Sequence, residues 1–323
     1  LDANLTELAQ ARGRAYALFA RLYQKGLTTD LLPLVAEIPE LAEGAHLKDY
    51  DADEAAGDHY NLFGFNVFPY ASVFLDESAT LGGRVTQNVL SFYHKGGFDI
   101  ALESESADHI ALQLQFLAFL SAAEGEALED ELVHVALSIK QLQRRFMDEH
   151  LMTWLPAFVL AIRQQGDVFH RNLANLTIEM VLHHREDLGN DLLATETRFS
   201  LPPAPDILAD EKTSLKDIAA YLVIPAYSGL YWSRADITRL ARSQSLPRGF
   251  GSRQQMLTNL LRSAADYDQF PALLEEIRAL VAMWMQSYQI LADSRGEPFA
   301  KIWLERLETT DRLLSLLNKE MKN

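Results

Sequence analysis

Apolar side chains recur at alternating three- and four-residue spacing in segment after segment of this chain, while sustained two-residue alternation is missing. A helix turns once every 3.6 residues, so that spacing lays the apolar groups along one face; a half-buried strand needs a period of two. The run Leu128, Leu132, Val135, Ile139, Leu142, Phe146 predicts one amphipathic helix. Phe169, Leu173, Leu176, Met180 and Leu273, Ile277, Leu280, Trp284, Tyr288 repeat the pattern. Further helices are expected at about 3–25, 29–43, 80–95, 106–123, 213–223, 233–244, 252–265 and 296–318. Glycines and prolines punctuate them, and the expected fold is all-α, a multi-helix bundle.

One punctuation mark stands apart. Leu201-Pro-Pro-Ala-Pro-Asp206 cannot continue a helix and favours an extended connector. The main boundary is expected there, between a helical domain at 1–200 and a helical extension at 207–323 packed on or beside it. The helical segments share no fixed period, which disfavours a solenoid.

Composition narrows the function. Lys and Arg number 29 against 45 Asp and Glu, a formal charge of -16 in 323 residues. Such a surface repels phosphate backbones, so no nucleic-acid partner is expected. Cysteine is absent, which removes disulfides, thiolate catalysis and Cys-ligated zinc or iron–sulfur clusters. The opening Leu1–Glu7 lacks the basic and apolar regions of a secretory signal, and a cytoplasmic location is expected. The uncharged stretch from Ile218 to Ser233 is too short to span a bilayer and holds Pro225 and Gly229, so no membrane insertion is expected.

Catalytic signatures are missing as well. No Gly-x-Ser-x-Gly turn, Walker A loop or GxGxxG follows a strand-like segment, and no enzymatic activity and no cofactor are expected. The rival is a ferritin-like metal enzyme using Glu131-Leu-Val-His134 with the i, i+4 pair Glu179/His183. Glu105/His109 has the same i, i+4 spacing, whereas neighbouring His183 and His184 point about 100° apart on a helix and would not chelate together. Such pairs arise by coincidence among nine histidines and 45 acids, and no metal is expected. Arg144-Arg145-Phe146-Met147 before the apolar stretch Leu151 to Ile162 imitates an export signal but lies mid-chain; two solvated arginines are expected there.

Three passages occur in a telling order: Asn66-Val-Phe-Pro-Tyr-Ala-Ser-Val-Phe-Leu75; Glu105-Ser-Ala-Asp-His109 before the apolar run Ile110 to Leu120; and His150-Leu-Met-Thr-Trp154-Leu-Pro156-Ala-Phe158, continued by Asp167-Val-Phe-His-Arg-Asn-Leu173. Together they resemble the TorD/DmsD/NarJ family of cytoplasmic chaperones that mature molybdenum-containing redox enzymes. Ser106 and Thr153 stand where the family pattern has proline, which leaves both loops less rigid. The resemblance covers about residues 1–200. It implies a TorD-like bundle that binds the twin-arginine signal peptide, or a nearby segment, of an apo-molybdoenzyme catalytic subunit and assists cofactor insertion before export. Helix exchange between subunits, as occurs in the family, would give a homodimer.

The residues are compatible with that binding. A twin-arginine peptide offers two guanidinium forks and an apolar stretch, so its receptor needs carboxylates beside an apolar groove. Asp108 and Glu105 would supply charge, His109 a switchable donor, and Pro69, Tyr70, Trp154 and Phe158 apolar walls. Each has a plainer role open to it: Asp108 and His109 as a helix N-cap, Trp154 as core, Tyr70 as a loop terminator, Glu105 as a solvated charge. In the second part, Ile224-Pro-Ala-Tyr-Ser-Gly-Leu-Tyr-Trp-Ser233 is expected to dock against the bundle. The basic run Arg234 to Arg242, with Arg248 and Arg253, can pair with the chain's own carboxylates. An adaptor that binds another protein through this extension is the third alternative.

Overall fold

Helix follows helix through the residues described by the computed structural model, 3–100, 105–189, 199–209 and 213–320, and no strand occurs among them. The first two residues of the chain's opening lie outside the described ones. The first part comprises α1 (Ala3–Lys25), α2 (Leu32–Ala36), α3 (Pro39–Gly44), α4 (Ala52–Tyr60) and α5 (Ala71–Leu75). It continues with α6 (Gly83–Lys95), α7 (Ile110–Glu129), α8 (Val133–Phe146), α9 (Met152–Gln165) and α10 (Val168–Asp187). After the proline-rich connector come α11 (Leu215–Val223), α12 (Pro225–Ser228), α13 (Arg234–Ser243), α14 (Arg253–Asp266), α15 (Phe270–Ala292) and α16 (Glu297–Glu320). The all-α expectation is met.

Small residues set the closest pairing. A Cβ on Gly13 of α1 would stand 3.4 Å from the Ala118 carbonyl of α7, and one on Gly125 of α7 would stand 3.1 Å from Gln10 Cγ of α1. The two helices therefore approach at near-backbone distance. At the centre, every residue of α9 from Met152 to Ile162 is buried, so this helix is apolar all round rather than amphipathic. It follows α8 through a π-helical turn, Met147–Leu151, and carries Pro156 in its second turn. Proline cannot donate to the preceding turn, and bends of this kind collect at such positions. The Thr153 hydroxyl donates to the His150 carbonyl there.

Three expectations need correction. The seam from Leu128 to Phe146 is two helices: Leu128 lies in the last turn of α7, which ends at Glu129, Glu131 takes a left-handed φ of 57°, and α8 starts at Val133. No glycine marks that turn, so periodicity alone ran through it. The segment 29–43 is a 3-10 turn followed by α2 and α3, because Pro33 and Pro39 each fix a new helix start. Arg144 is not solvated. It is 9 % exposed, bonds Asp148 through Nε at 2.7 Å, and donates to the Arg185 carbonyl at 2.7 Å and the Gly189 carbonyl at 3.1 Å, holding the end of α10. Arg145 pairs with Glu149 at 2.9 Å and stays on the outside.

A single apolar cluster runs through both parts. The Tyr231 ring, 2 % exposed, stacks on Phe74 of α5 at 4.9 Å between centroids, and its hydroxyl accepts from the Phe68 backbone N–H at 3.1 Å. Arg253 lies over Tyr231 at 4.8 Å and over Phe68 at 5.9 Å. Trp303 of α16 donates to the Thr153 carbonyl of α9 at 3.0 Å, and Gln165 donates to Asp236 at 2.7 Å. Arg306 donates to the carbonyls of Leu201 and Pro202, fixing the connector. The aromatic loop 224–233 thus docks the second part on the first. Its tyrosine provides a test: Tyr231→Ala removes a buried ring and is expected to cost about 3–5 kcal/mol. Tyr231→Phe, which keeps the stack and loses one bond, should cost about 1–2 kcal/mol. Urea unfolding of the three proteins checks both.

Candidate functional site

The Pro69–Tyr70 passage and the Asp108–His109 passage meet as a short antiparallel bridge. The Ile110 N–H donates to the Pro69 carbonyl at 2.9 Å, and the Ala71 N–H to the Asp108 carbonyl at 3.1 Å. This corner joins the starts of α5 and α7, two helices whose first N–H groups need acceptors.

Asp108 satisfies one of these starts and ties in a third element. Its side chain is fully buried. One oxygen accepts from the Ser72 N–H of α5 at 2.8 Å; the other accepts from Thr86 of α6 and from Ser106, both at 2.7 Å. The carboxylate therefore caps α5, not the helix that follows it in sequence, and clamps α5 to α6. With its oxygens engaged and no exposed surface, Asp108 supports the corner rather than presenting charge to a ligand. His109 is the cap of α7: its Nδ1 accepts from the Ala111 N–H at 3.1 Å.

That bond and burial decide the state of His109. Burial pushes its pKa down to about 4, against smaller upward pulls from Glu105 and Asp108. The ring is neutral near pH 7, and an Nδ1 that accepts leaves the proton on Nε2. His109 thus caps α7 through Nδ1 and carries its proton on Nε2.

Behind the corner, Gln113 donates to the Asp108 carbonyl at 3.0 Å and accepts from the Trp154 indole at 3.3 Å. Trp154 and Phe158 are fully buried, with centroids 4.9 Å apart, and Phe74 packs on both. Both lie in the core. Pro69 is buried too. Of the seven residues singled out, Tyr70 and Glu105 alone reach the surface. The half-buried Tyr70 packs edge-on against His109 at 4.8 Å, and its hydroxyl donates to exposed Glu105 at 2.6 Å. Burial, then the hydrogen bond to Glu105 and the nearby carboxylate charges, hold the Tyr70 phenol far above its ordinary range.

Beside this corner runs a groove of about 570 Å³ between α5 and α6, floored by Ala71, Leu75, Val85 and Val89. Phe199, Leu201 and Pro202 of the connector line its far side, and Asp76, Glu77 and Glu149 also border it. Its two walls are the helices that Asp108 clamps. Sequence reasoning missed the groove and the partners Ser72, Thr86 and Gln113. A Ser or Thr at a helix start is commonplace, and nothing local says that its partner sits on another segment.

The residues of the metal-site alternative are placed as follows. Glu131 lies outside α8 in a left-handed turn, and the His183 ring sits against Arg295 at 2.7 Å. Among the described residues no group of three or more His, Asp or Glu side chains is placed to hold a metal ion. Among the same residues no helix is long and apolar enough to cross a membrane.

Comparison with known proteins bears on the same region. Residues 26–160, which include all seven candidate residues, match the family model described as nitrate reductase delta subunit. A chaperone protein TorD from Vibrio cholerae serotype O1 is 33 % identical over 153 residues, 45 % of this chain and 67 % of the relative. The chaperone protein TorD of Photobacterium profundum is 26 % identical over 167 residues, 50 % of this chain and 76 % of the relative. That of Aliivibrio fischeri is 26 % identical over 184 residues, covering 48 % and 83 %. No solved structure matches.

Two measurements test the corner. Asp108→Ala leaves three donors without an acceptor and is expected to cost about 3 kcal/mol or more in urea unfolding. His109 binds no proton in the folded state until about pH 4, whereas an unfolded histidine takes one near pH 6.5. Between those values the unfolded chain holds more protons, so stability falls as pH falls from about 6.5 towards 4. His109→Asn keeps a capping side chain and removes the titration, so its stability should fall less steeply across that window.

Proposed function

The chain belongs to the TorD/NarJ family of chaperones, and from that premise we propose that it holds the twin-arginine signal peptide, or an adjoining segment, of an apo-molybdoenzyme and assists cofactor insertion before export. It works by binding, without a reaction of its own. The observation that carries the reading is an accessible carboxylate, Glu105, on the corner at the start of α5, with a groove along α5 and α6 whose apolar residues are bordered by Asp76, Glu77 and Glu149 and by one cation, Arg84. Glu105, held by Tyr70 at 2.6 Å, supplies a fixed acceptor for a guanidinium. The groove along α5 and α6 supplies the surface for the apolar stretch that follows.

In this account the buried members of the motif act at one remove. Asp108 sets the spacing of α5 and α6, His109 fixes the start of α7, and Trp154 with Phe158 packs the floor beneath them. A ready-made site loses less entropy on binding than one that must be ordered. The client meets the chaperone before export, so the site of action is the cytoplasm.

Titration with a synthetic Ser-Arg-Arg-Ala-Phe-Leu-Lys peptide carrying an apolar tail tests this. Binding should exceed that of a Lys-Lys control. It should weaken about tenfold in Glu105→Gln, which loses one charge-assisted bond, and also in Val85→Arg, which fills the groove. Equal affinity for both peptides, or no effect of either substitution, would count against the reading.

A further inference from the structure

Charge is spread unevenly along the chain. From α11 to α14, residues 215–266, seven Lys and Arg stand against three Asp, whereas the whole chain carries 29 against 45 acids. Two of those aspartates are spent locally: Asp217 accepts from the Ser214 N–H and Asp236 from the Ser233 N–H, in the capping boxes of α11 and α13. Arg239 pairs with Asp236, and Arg253 turns inward to donate to the Trp232 carbonyl at 3.2 Å. Lys216, Arg234, Arg242, Arg248 and Arg262 are exposed. This part of the extension is an electropositive surface on an acidic protein, and it lies outside the residues matched by the family model.

Two of these cations, Lys216 of α11 and Arg262 of α14, line one cleft of about 540 Å³ together with Gln254, Asn259 and Phe250. No carboxylate lines it, so neither cation has a counter-charge within the cleft. Phe250 is 90 % exposed, the most exposed large apolar side chain among the described residues. Its loop is nevertheless pinned. A Cβ on Gly249 would stand 3.3 Å from Met256 Cα, and one on Gly251, whose φ is 114°, would run into the Gln255 amide. Gln255 accepts from the Ser252 N–H at 2.9 Å, and the Ser252 hydroxyl accepts from the Gln255 N–H at 3.2 Å. The loop is thus fixed on the start of α14 while its phenylalanine ring stays in solvent.

The chemistry of the occupant follows from these groups. The cations call for oxyanions, the ring for an apolar group, and the Gln254 and Asn259 amides, each both donor and acceptor, match peptide groups. A phosphate fits less well, because phosphate sites draw on free backbone N–H groups at a helix start, and here the capping box engages those of Ser252 and Gln255. Extended polyanions fit poorly too, since beyond this surface the chain is strongly acidic. A short segment meets mainly the local cations, because salt limits the reach of charge to about 8 Å. A second copy of this chain would bring its acidic side head-to-tail, a contact that builds rings or filaments rather than a closed pair. We propose that this surface docks an acidic segment of a partner protein, its carboxylates paired with Lys216 and Arg262 and an apolar side chain laid on Phe250. The inference is independent of the signal-peptide reading, whose carboxylate and groove belong to other elements.

The test titrates the full chain into a fluorescein-labelled Asp-Glu-Phe-Asp-Glu peptide, read by fluorescence anisotropy. Phe250→Ser and Lys216→Gln/Arg262→Gln alter exposed side chains, and circular dichroism checks that each variant is folded. The peptide should bind the unaltered chain, and each variant should bind it about tenfold more weakly. Added salt should weaken binding to the unaltered chain more than to the double variant. Asn-Gln-Phe-Asn-Gln and Asp-Glu-Ser-Asp-Glu peptides should each bind more weakly. Absence of binding, equal binding of either control peptide, or an unchanged affinity in either variant overturns the proposal. So does tighter binding of ATP, a single-stranded oligonucleotide or phosphatidylglycerol vesicles that is lost in the double variant.

Discussion

One buried carboxylate holds together the corner where α5, α6 and the start of α7 meet. Asp108 accepts from a backbone N–H of α5, a hydroxyl of α6 and a hydroxyl of its own loop, while its carbonyl takes Ala71 and Gln113. A charge placed in the interior is tolerated only when its lone pairs are filled, and here each donor comes from an element that must be correctly positioned. The carboxylate thus acts as a geometric lock. The groove walls, the exposed Glu105–Tyr70 pair and the start of α7 all take their positions from it.

This explains why so much of the motif is hidden. Residues quoted for recognition divide into a small outer pair and a larger inner set, in which Asp108 and His109 make the caps and Pro69, Trp154 and Phe158, with Phe74 packed on both rings, are apolar or aromatic. The second part of the chain adds to that inner set. Tyr231 completes the stack on Phe74, and Arg253 covers the outer face of Tyr231. The extension therefore shares the hydrophobic interior beneath the corner, and its aromatic loop is part of what keeps α5 in place.

Much of this was legible in the sequence, within limits set by physics. Period alone identified α1, α6, α7, α10, α11 and the helices from α13 to α16, because an apolar stripe is a property of one segment, whereas the single turn of α12 is too short to show one. It failed at Glu131, where a left-handed residue without glycine broke an unbroken stripe, and around α4, whose polar sequence shows no stripe at all. The meeting of Pro69–Tyr70 with Asp108–His109 was legible as a coincidence of motifs, but the direction of the capping was not. An aspartate before a helix reads as the cap of that helix; that it caps a helix 36 residues away follows only from the tertiary bridge. Arg144 misled for a related reason, since its acceptors are carbonyls at the end of α10.

Charge, finally, is distributed in a way that the net value conceals. Several arginines are paired within the chain: Arg144 and Arg185 on Asp148, Arg239 on Asp236, Arg278 on Asp311, Arg295 on Glu186. Each such pair also removes a carboxylate from the balance, so the excess of 45 acids over 29 bases falls on side chains outside these pairs. Asp49, Glu54 and Asp58 are three of these, clustered on and before α4, and Glu105 is another on the corner. A field built from clustered rather than scattered charge acts beyond contact distance, and it weakens as salt shortens its reach to about 8 Å at physiological ionic strength. Glu105 and the acids around α4 lie apart, so this field reaches more than one side of the molecule, and attraction of a cation does not by itself select where it is held.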